Sequence, residues 1–369
     1  MTPTYRLALA NLGTSGLGTE TVADILTDGG TVRGDAALVY GKALNGPGFL
    51  EFTLPIDGSA GLGTTDLEQV VGRREVHLYR DPDPETSGGE VLVWAGRLWA
   101  AQLDRVWVRF QCEGWLSYFR RREIGIDVSL NAEQFDIAWS LISGAQAATG
   151  GNIGVTRGTE TPSGIVRQIT YCAEERNNVV DVLEDLSGAD DGFDFEITPA
   201  KVWKVYHSSQ GSDLSASVVL DAAVDVSVMS WTIDASNISN SVAAIGKVID
   251  CEPIHYTTTV DTASRSAYGL LESTVIRPDL DTDAALLDAL AAEQLRTAKT
   301  PLYQPQVEYS LELGGPDPVA GDYGIGDIIG LQGSLGFATI DRPFRVIGWR
   351  MNVTTMGQEQ VQLDLDGAV

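Results

Sequence analysis

Residues 106–114, VWVRFQCEG, alternate without a break: Val108, Phe110 and Cys112 are apolar, while Arg109, Gln111 and Glu113 are polar or charged. A period of two belongs to a β-strand that buries one face and wets the other. The run before it, VLVWAGRLWAAQLD (91–104), is a second long strand, and the two meet at a tight Asp104-Arg105 corner. FLEFTLPI (49–56) and EVHLYRD (75–81) read the same way, with DPDPETSGGE (81–90) as a polar Pro/Gly turn. This order predicts an antiparallel meander over residues 1–125, curled into a barrel or a sandwich.

The pattern changes over residues 126–225. NAEQFDIAWSLISGAQ (131–146) has an N-cap-like Asn131 and apolar Phe135, Ile137, Ala138, Leu141 and Ile142 on one helical face. A second helix, NNVVDVLEDLSGADD (177–191), aligns Val179, Val182, Leu183 and Leu186. FDFEI and VWKVY then form a hairpin around the turn Thr198-Pro199-Ala200-Lys201. Residues 226–369 return to β structure, interrupted by one Ala- and Leu-rich helix over about 281–299. The fold class is therefore mainly β with an α+β insert. The ends of the two β blocks also resemble each other. VWAGRLWAAQLDRVWVRFQCEG (93–114) and RVIGWRMNVTTMGQEQVQLDLDG (345–367) each place a Gly and an Arg on an apolar strand, then a turn, then an alternating strand.

Little in the 369 residues points to catalysis. His77, His207 and His255 stand alone in strand-like contexts, with no metal-ligand spacing. Cys112, Cys172 and Cys251 are far apart, which predicts buried small hydrophobes rather than a disulfide framework or a zinc site. The stretch 181–196, DVLEDLSGADDGFDFE, is acidic, but Asp190, Asp191 and Asp194 are wrongly spaced for a calcium loop; a helix end and a solvated turn fit better. GTSGLGTET (13–21) matches no phosphate-binding loop and reads as a turn. No metal or other cofactor is expected, and the chain reads as not an enzyme. The N-terminus lacks the charged region of a signal peptide, and no run of about eighteen apolar residues predicts a membrane span.

The formal net charge is −26, yet Arg120, Arg121 and Arg122 stand together, just after Phe110, Trp115, Tyr118 and Phe119. So acidic a surface repels phosphates, which disfavours nucleic-acid binding by this run. With 51 acidic residues in the chain, carboxylate partners are plentiful, and arginine pairs with them in planar, bidentate geometry. Arg120, Arg121, Arg122, Trp115 and Tyr118 are therefore the candidate site: a joint within a subunit or between subunits.

The same segment carries a family resemblance. Trp94-Ala95-Gly96-Arg97, then Cys112-Glu113-Gly114-Trp115, Tyr118 and Arg120 to Arg122, resemble the N-terminal module of tail hub (baseplate hub, tail-tip) proteins of long-tailed bacteriophages. DVLEDLSGADDGFDFEI (181–197), SRSAYGLLEST (264–274) and GIGDIIGLQG (324–333) resemble later segments of the same family in order. The resemblance implies two tandem β-barrel modules of tail-tube-like type, 1–125 and 226–369, flanking a smaller α+β domain, 126–225. It implies a homotrimer at the tail tip with pseudo-sixfold symmetry, matching a sixfold tube or distal tail ring to a threefold tip. Its implied partners are the distal tail protein ring, the C-terminus of the tape measure protein, other tail-tip or receptor-binding minor tail proteins, and genomic DNA passing without specific binding or membrane insertion. The implied location is the tip of the virion tail, after assembly in the host cytoplasm. The chain stops at DLDGAV, so a hub without an appended hydrolase or fibre is expected. Two other readings compete: a distal tail or receptor-binding protein that recognises cell-wall carbohydrate, and a cell-wall hydrolase using carboxylates not yet placed.

Overall fold

The computed structural model describes residues 3–22, 27–28, 31–32, 38–55, 64–83, 89–207, 209–249, 252–277, 284–336, 338–354 and 357–367. Cys251 and the centre of the turn 81–90 lie outside them.

The first block contributes β1 (Thr4–Asn11), β2 (Glu20–Val22), β3 (Thr27–Asp28), β4 (Thr31–Val32), β5 (Leu38–Ala43) and β6 (Phe49–Pro55). Helix α1 (Thr64–Val70) leads into β7 (Arg74–Asp81), β8 (Val91–Leu103) and β9 (Trp107–Gly114). The corner between β8 and β9 is set by Asp104, whose carboxylate accepts the backbone N–H groups of Val106 and Trp107, each at 2.7 Å. A four-residue helix, α2 (Leu116–Phe119), closes the block.

The middle block is built from β10 (Val128–Glu133), α3 (Gln134–Ala147), β11 (Thr156–Arg157), β12 (Val166–Tyr171), α4 (Val179–Ser187), β13 (Asp194–Ile197) and β14 (Val202–Tyr206). Asn131 does not cap α3. It lies inside β10, paired with Gln168, and Glu133 caps the helix by accepting from the N–H groups of Phe135 and Asp136. The pairing of β10 with β12 holds residues 128–133 extended, which moves the helix start two residues on. Asn178 does cap α4. Apolar faces of α3, α4 and the β13–β14 hairpin share one core, with Phe135, Phe195 and Trp203 nearly solvent-free.

β15 (Val219–Asp221) lies before residue 226, inside the expected middle block, but pairs with a strand of the third; that block itself holds β16 (Val226–Asp234), β17 (Ser241–Ile245), β18 (Val248–Ile249), β19 (Glu252–Pro253), β20 (Tyr256–Val260), α5 (Thr262–Tyr268), β21 (Glu272–Ile276) and α6 (Ala284–Ala298). It ends with β22 (Leu302–Ser310), β23 (Ile328–Leu335), β24 (Ala338–Val353) and β25 (Glu359–Gly367). Strands β20, β17 and β21 form a separate small sheet against α6, with Val242, Ala244, Leu287 and Ala291 as its core.

One 13-stranded sheet runs through the first and third blocks in the order β16-β22-β25-β24-β5-β6-β9-β8-β7-β1-β2, with β23 on β24 and β15 on β23. It contains the same arrangement twice: β5-β6-β9-β8-β7 and β16-β22-β25-β24-β23. The match extends to single residues. β7 pairs with β8 as far as Arg97, and β23 with β24 as far as Arg345. In each copy the strand then bulges on its other edge, between Leu98 and Ala100 and between Val346 and Gly348. Gly72 donates to Leu98 O at 2.7 Å, and Gly326 donates to Val346 O at 2.8 Å. Arg97 donates back to the Gly72 carbonyl, and Arg345 to that of Gly326. Arg97 and Arg345 are thus equivalent, whereas Gly96 and Gly348 of the resembling segments are not.

The two copies are fused. β24 leaves β23 at Arg345 and pairs antiparallel with β5 from Gly348 to Val353, so the module ladders are continuous. One apolar core follows from this, running from Leu7 and Phe52 to Met351 and Leu365. Within it Phe52 stacks on Phe110 at 4.7 Å, and Tyr40 meets Trp349 edge-on at 5.6 Å. A buried polar cluster also ties the copies. Arg80 of β7 makes a two-pronged pair with Glu359 of β25, at 2.7 and 2.6 Å, and reaches Asp317 at 2.8 Å. Tyr5 donates to the same Glu359, and burial keeps its phenol protonated by pushing its pKa well up.

Replacing Arg80 with Met leaves Glu359 buried without its cation. The expected loss is about 3–5 kcal/mol, read as a lower urea midpoint. Adding Glu359→Gln should recover much of it.

Candidate functional site at the module joint

The chain leaves the first module at Gly114, where a Cβ would stand 1.7 Å from the Pro47 carbonyl oxygen, so only glycine fits. Trp115 follows, buried, its indole N–H donating to Pro199 O at 3.1 Å in the β13–β14 turn. Leu116 and Phe119 sink into the middle core. Tyr118 donates to Gly151 O at 3.1 Å, beyond the end of α3. Trp115, Leu116, Tyr118 and Phe119 therefore anchor the first module to three separate parts of the middle block.

The three arginines take different partners, all within the chain. Arg122 donates to Ala145 O near the end of α3 at 3.1 Å, and its own carbonyl receives Val179 N–H at 3.0 Å. Arg121 lies 3.9 Å over the Trp99 ring and donates to Ser117 O at 2.7 Å, with Glu113 at 3.6 Å. Arg120 faces Glu184 at 3.2 Å, and its carbonyl accepts from the capping residue Asn178 at 2.8 Å. The Arg120–Glu184 pair is half exposed on both sides and contributes at most about 1 kcal/mol. The stacking matters more: Arg97 lies 4.8 Å over Trp99 and 5.7 Å over Tyr118, so cations and rings interleave across the joint. The flat faces a nucleic-acid base would use on Trp99 and Tyr118 are already covered by arginine.

A second contact crosses the same joint. Lys201, in the left-handed position of the β13–β14 turn (φ 62°), sends its side chain into the first module. There it is fully buried, 2.6 Å from Glu75 of β7, which is also buried. Lys201 Nζ also donates to Gly16 O at 2.9 Å and Gly13 O at 3.2 Å, and sits 4.5 Å over the Trp115 ring. Glu75 accepts from the N–H groups of Gly13 at 2.6 Å and Gly18 at 2.9 Å, and lies 3.2 Å from His77 Nε2. Burial pushes the Glu75 carboxyl up. The hydrogen bonds from His77, Lys201, Gly13 and Gly18 outweigh it and hold the group below the usual carboxylate range. GTSGLGTET is thus more than a turn: its backbone wraps an ion pair, and a Cβ on Gly18 would fall 1.5 Å from Asn11 O.

The equivalent point of the second module is tied in its own way. Arg345 pairs with Asp194 at the start of β13, and Asp194 also accepts from Gln210 N at 2.6 Å and Asn45 Nδ2 at 3.2 Å. Asp194 is therefore a buried strut and not part of a solvated turn; it belongs to the hairpin, past the helix end. Cys112 is buried, with its thiol pushed up by burial, whereas Cys172 is exposed, because it follows the end of β12 and caps a short surface turn over 173–175. His255 pairs with Asp288 at 2.7 Å, and His207 lies beside Phe135. Among the described residues no group of three His, Cys, Asp or Glu is placed to hold a metal ion.

No protein-family model matches the sequence, and no curated protein sequence matches it. Solved structures do. The tail protein of Neisseria meningitidis MC58 superposes over 99% of this chain and 96% of its own, with TM-score 0.61 and 14% identity. The 43 kDa tail protein of prophage MuSo2 from Shewanella oneidensis does so over 98% of both chains, with TM-score 0.62 and 10% identity. This chain has the bacteriophage tail-protein fold. A prophage tail protein of Listeria monocytogenes EGD-e also shares it, over 97% of this chain and 94% of its own, with TM-score 0.56 and 11% identity. In this tail-protein fold the candidate residues Trp115, Tyr118, Arg120, Arg121 and Arg122 all make contacts within the chain around residues 114–122, and Glu75 and Lys201, which the sequence pattern did not single out, form a buried pair beside them.

Lys201→Met should cost about 3–5 kcal/mol, because it strands Glu75, and Lys201→Met/Glu75→Gln should cost less than the single change. The pH dependence has a definite sign. Since the folded Glu75 value is lowered, its stabilisation is complete above the unfolded value near about 4.3 and is lost as pH falls through the folded value. Glu75→Gln should therefore flatten the acid limb of a plot of unfolding midpoint against pH.

Proposed function

We propose that this chain is a structural virion protein: a homotrimeric hub at the tip of a phage tail, without enzymatic activity. The observation that carries the reading is the internal duplication. Two modules with the same strand order and the same bulge, fused side by side, let three chains present six near-equivalent modules. Such a ring matches a sixfold tube or distal tail ring on one side and a threefold tip on the other. The unit built from β17 to α6 is inserted between β16 and β22, where the first module has only a short turn between β5 and β6. It marks alternate modules and lowers sixfold symmetry to threefold.

In this reading the neighbours are the distal tail ring, the C-terminus of the tape measure protein and other tail-tip proteins. Genomic DNA passes through the axial channel, where a formal charge of −26 per chain favours sliding over sticking. Arg120 to Arg122, with Trp115 and Tyr118, act as a joint that fixes the angle between the modules and the middle block. The domains follow as 1–125, 126–225 and 226–369.

The test is the solution mass with particle images. A species of three times 39.5 kDa forming a threefold ring with an axial hole is expected. A monomer at high concentration, alone and with the neighbouring tail proteins, would sink the hub reading. Replacing Arg120, Arg121 and Arg122 together with Ser should weaken ring assembly without unfolding the modules; unchanged assembly would remove the joint from the function.

A further inference from the structure

The duplication leaves two strand edges unmatched. Within the chain, the second half of β24 is paired with β5, in the register Gly348 with Ala43, Arg350 with Gly41 and Val353 with Leu38. The equivalent of β24 is β8, and the equivalent of β5 is β16. β8 leaves β7 at Arg97, as β24 leaves β23 at Arg345, but beyond Leu98 that edge of β8 has no backbone partner among the described residues. β16 is the outermost strand of the sheet and, among the described residues, pairs only with β22. Among the described residues both edges lie open.

We infer that β16 of one copy pairs with the second half of β8 of a second copy, antiparallel, repeating between chains the β5–β24 ladder made within each chain. This rests on the reading of the chain as a ring subunit and names the strands that close the ring. The register follows by equivalence. Aligning the shared bulges matches Gly348 to Ala100 and Arg350 to Gln102. The β5–β6–β9 and β16–β22–β25 ladders match Leu38 to Met229 and Gly41 to Thr232. The intermolecular pairs are then Ala100 with Asp234, Ala101 with Ile233, Gln102 with Thr232 and Leu103 with Trp231.

Three further observations agree. Leu103 and Ile233 are 46% and 55% exposed, whereas their equivalents on the paired edges are Met351, fully buried, and Lys42, half-buried. The paired residues 100–103 and 231–234 carry a single charge, Asp234, which stands opposite Ala100, so no like charges meet across the ladder in a chain of −26. Neither segment carries the Lys or Pro that blunts an exposed edge strand, whereas β2, at the far end of the sheet, is blunted by being three residues long. The donors point the right way as well. Leu44 N–H donates to Ile347 O, so in β5 the N–H groups of Tyr40 and Lys42 face β24, and the equivalents of these residues are Trp231 and Ile233. Alternation then turns the N–H groups of Trp231 and Ile233 outward. The contact joins different patches on the two copies, so repetition closes a ring or extends a filament.

The test uses the full chain with Cys172→Ser to remove the exposed thiol. Gln102→Cys/Thr232→Cys places two thiols directly opposite across the proposed ladder, and mild oxidation should give covalent oligomers on a non-reducing gel. Gln102→Cys/Ser230→Cys, two residues out of register, should give at least tenfold less. Ile233→Pro removes an outward N–H but no bond inside the chain. It should shift the particle to monomer while leaving the circular dichroism spectrum unchanged. A multi-subunit mass with no cross-link from the matched pair, equal cross-linking from the offset pair, or assembly indifferent to Ile233→Pro would overturn the strand assignment while leaving the ring reading in place. A monomer under all conditions would overturn both.

Discussion

The ladder between β24 and β5 is the constraint on which the rest of the molecule depends. Backbone hydrogen bonds between strands fix position to within one residue, because a slip of one turns every side chain to the wrong face. Six registered pairs from Gly348 to Val353 therefore set the mutual placement of the two modules more rigidly than any patch of surface side chains could. The shared apolar core and the Arg80–Glu359–Asp317 cluster follow from that placement. The modules are two repeats of a pattern but one folding body.

The middle block hangs from this body through the β13–β14 hairpin. One end of the hairpin sends Lys201 into the first module, and the other end holds Asp194 against Arg345 of the second. Each contact buries charge, and buried charge tolerates no loose fit, since an unpaired partner is costly. The interleaved arginines and rings at Trp99, Tyr118, Arg97 and Arg121 add orientation. The two ends of one short hairpin thus tie the middle block to both modules.

Much of the fold was legible in the sequence for a plain reason: strand alternation and helix periodicity are local signals. The strands 49–55, 74–81, 91–103 and 107–114, both middle helices and the hairpin at Thr198 to Lys201 all lie where the patterns put them. What escaped was non-local. Asn131 has the chemistry of a cap, but pairing with Gln168 holds it in a strand. Lys201 in a polar turn reads as solvated until a glycine loop nearly two hundred residues away closes over it. The repeat was visible at residues 93–114 and 345–367, but its true register rests on Arg97 and Arg345, not on the glycines that drew the eye. Trp115, Tyr118 and Arg120 to Arg122 stand out in the sequence as aromatics beside arginines, while the groups they meet, Pro199, Gly151, Ala145 and Glu184, lie far along the chain and carry no local signal.

The bulges at Trp99 and Ile347 bear on how the large sheet tolerates change. A bulge adds twist and bends a strand away from its line. The Ile347 bulge stands where β24 changes neighbours, from β23 to β5, and the Trp99 bulge stands at the equivalent point of β8. Curvature is then written into the backbone by one extra residue per module, and not into the side chains that face solvent. Surface side chains are then free to vary, and the connection between β16 and β22 is free to carry the β17–α6 unit, while the bend of the sheet stays the same. An insertion or deletion of one residue at either bulge should change that bend more than many surface substitutions.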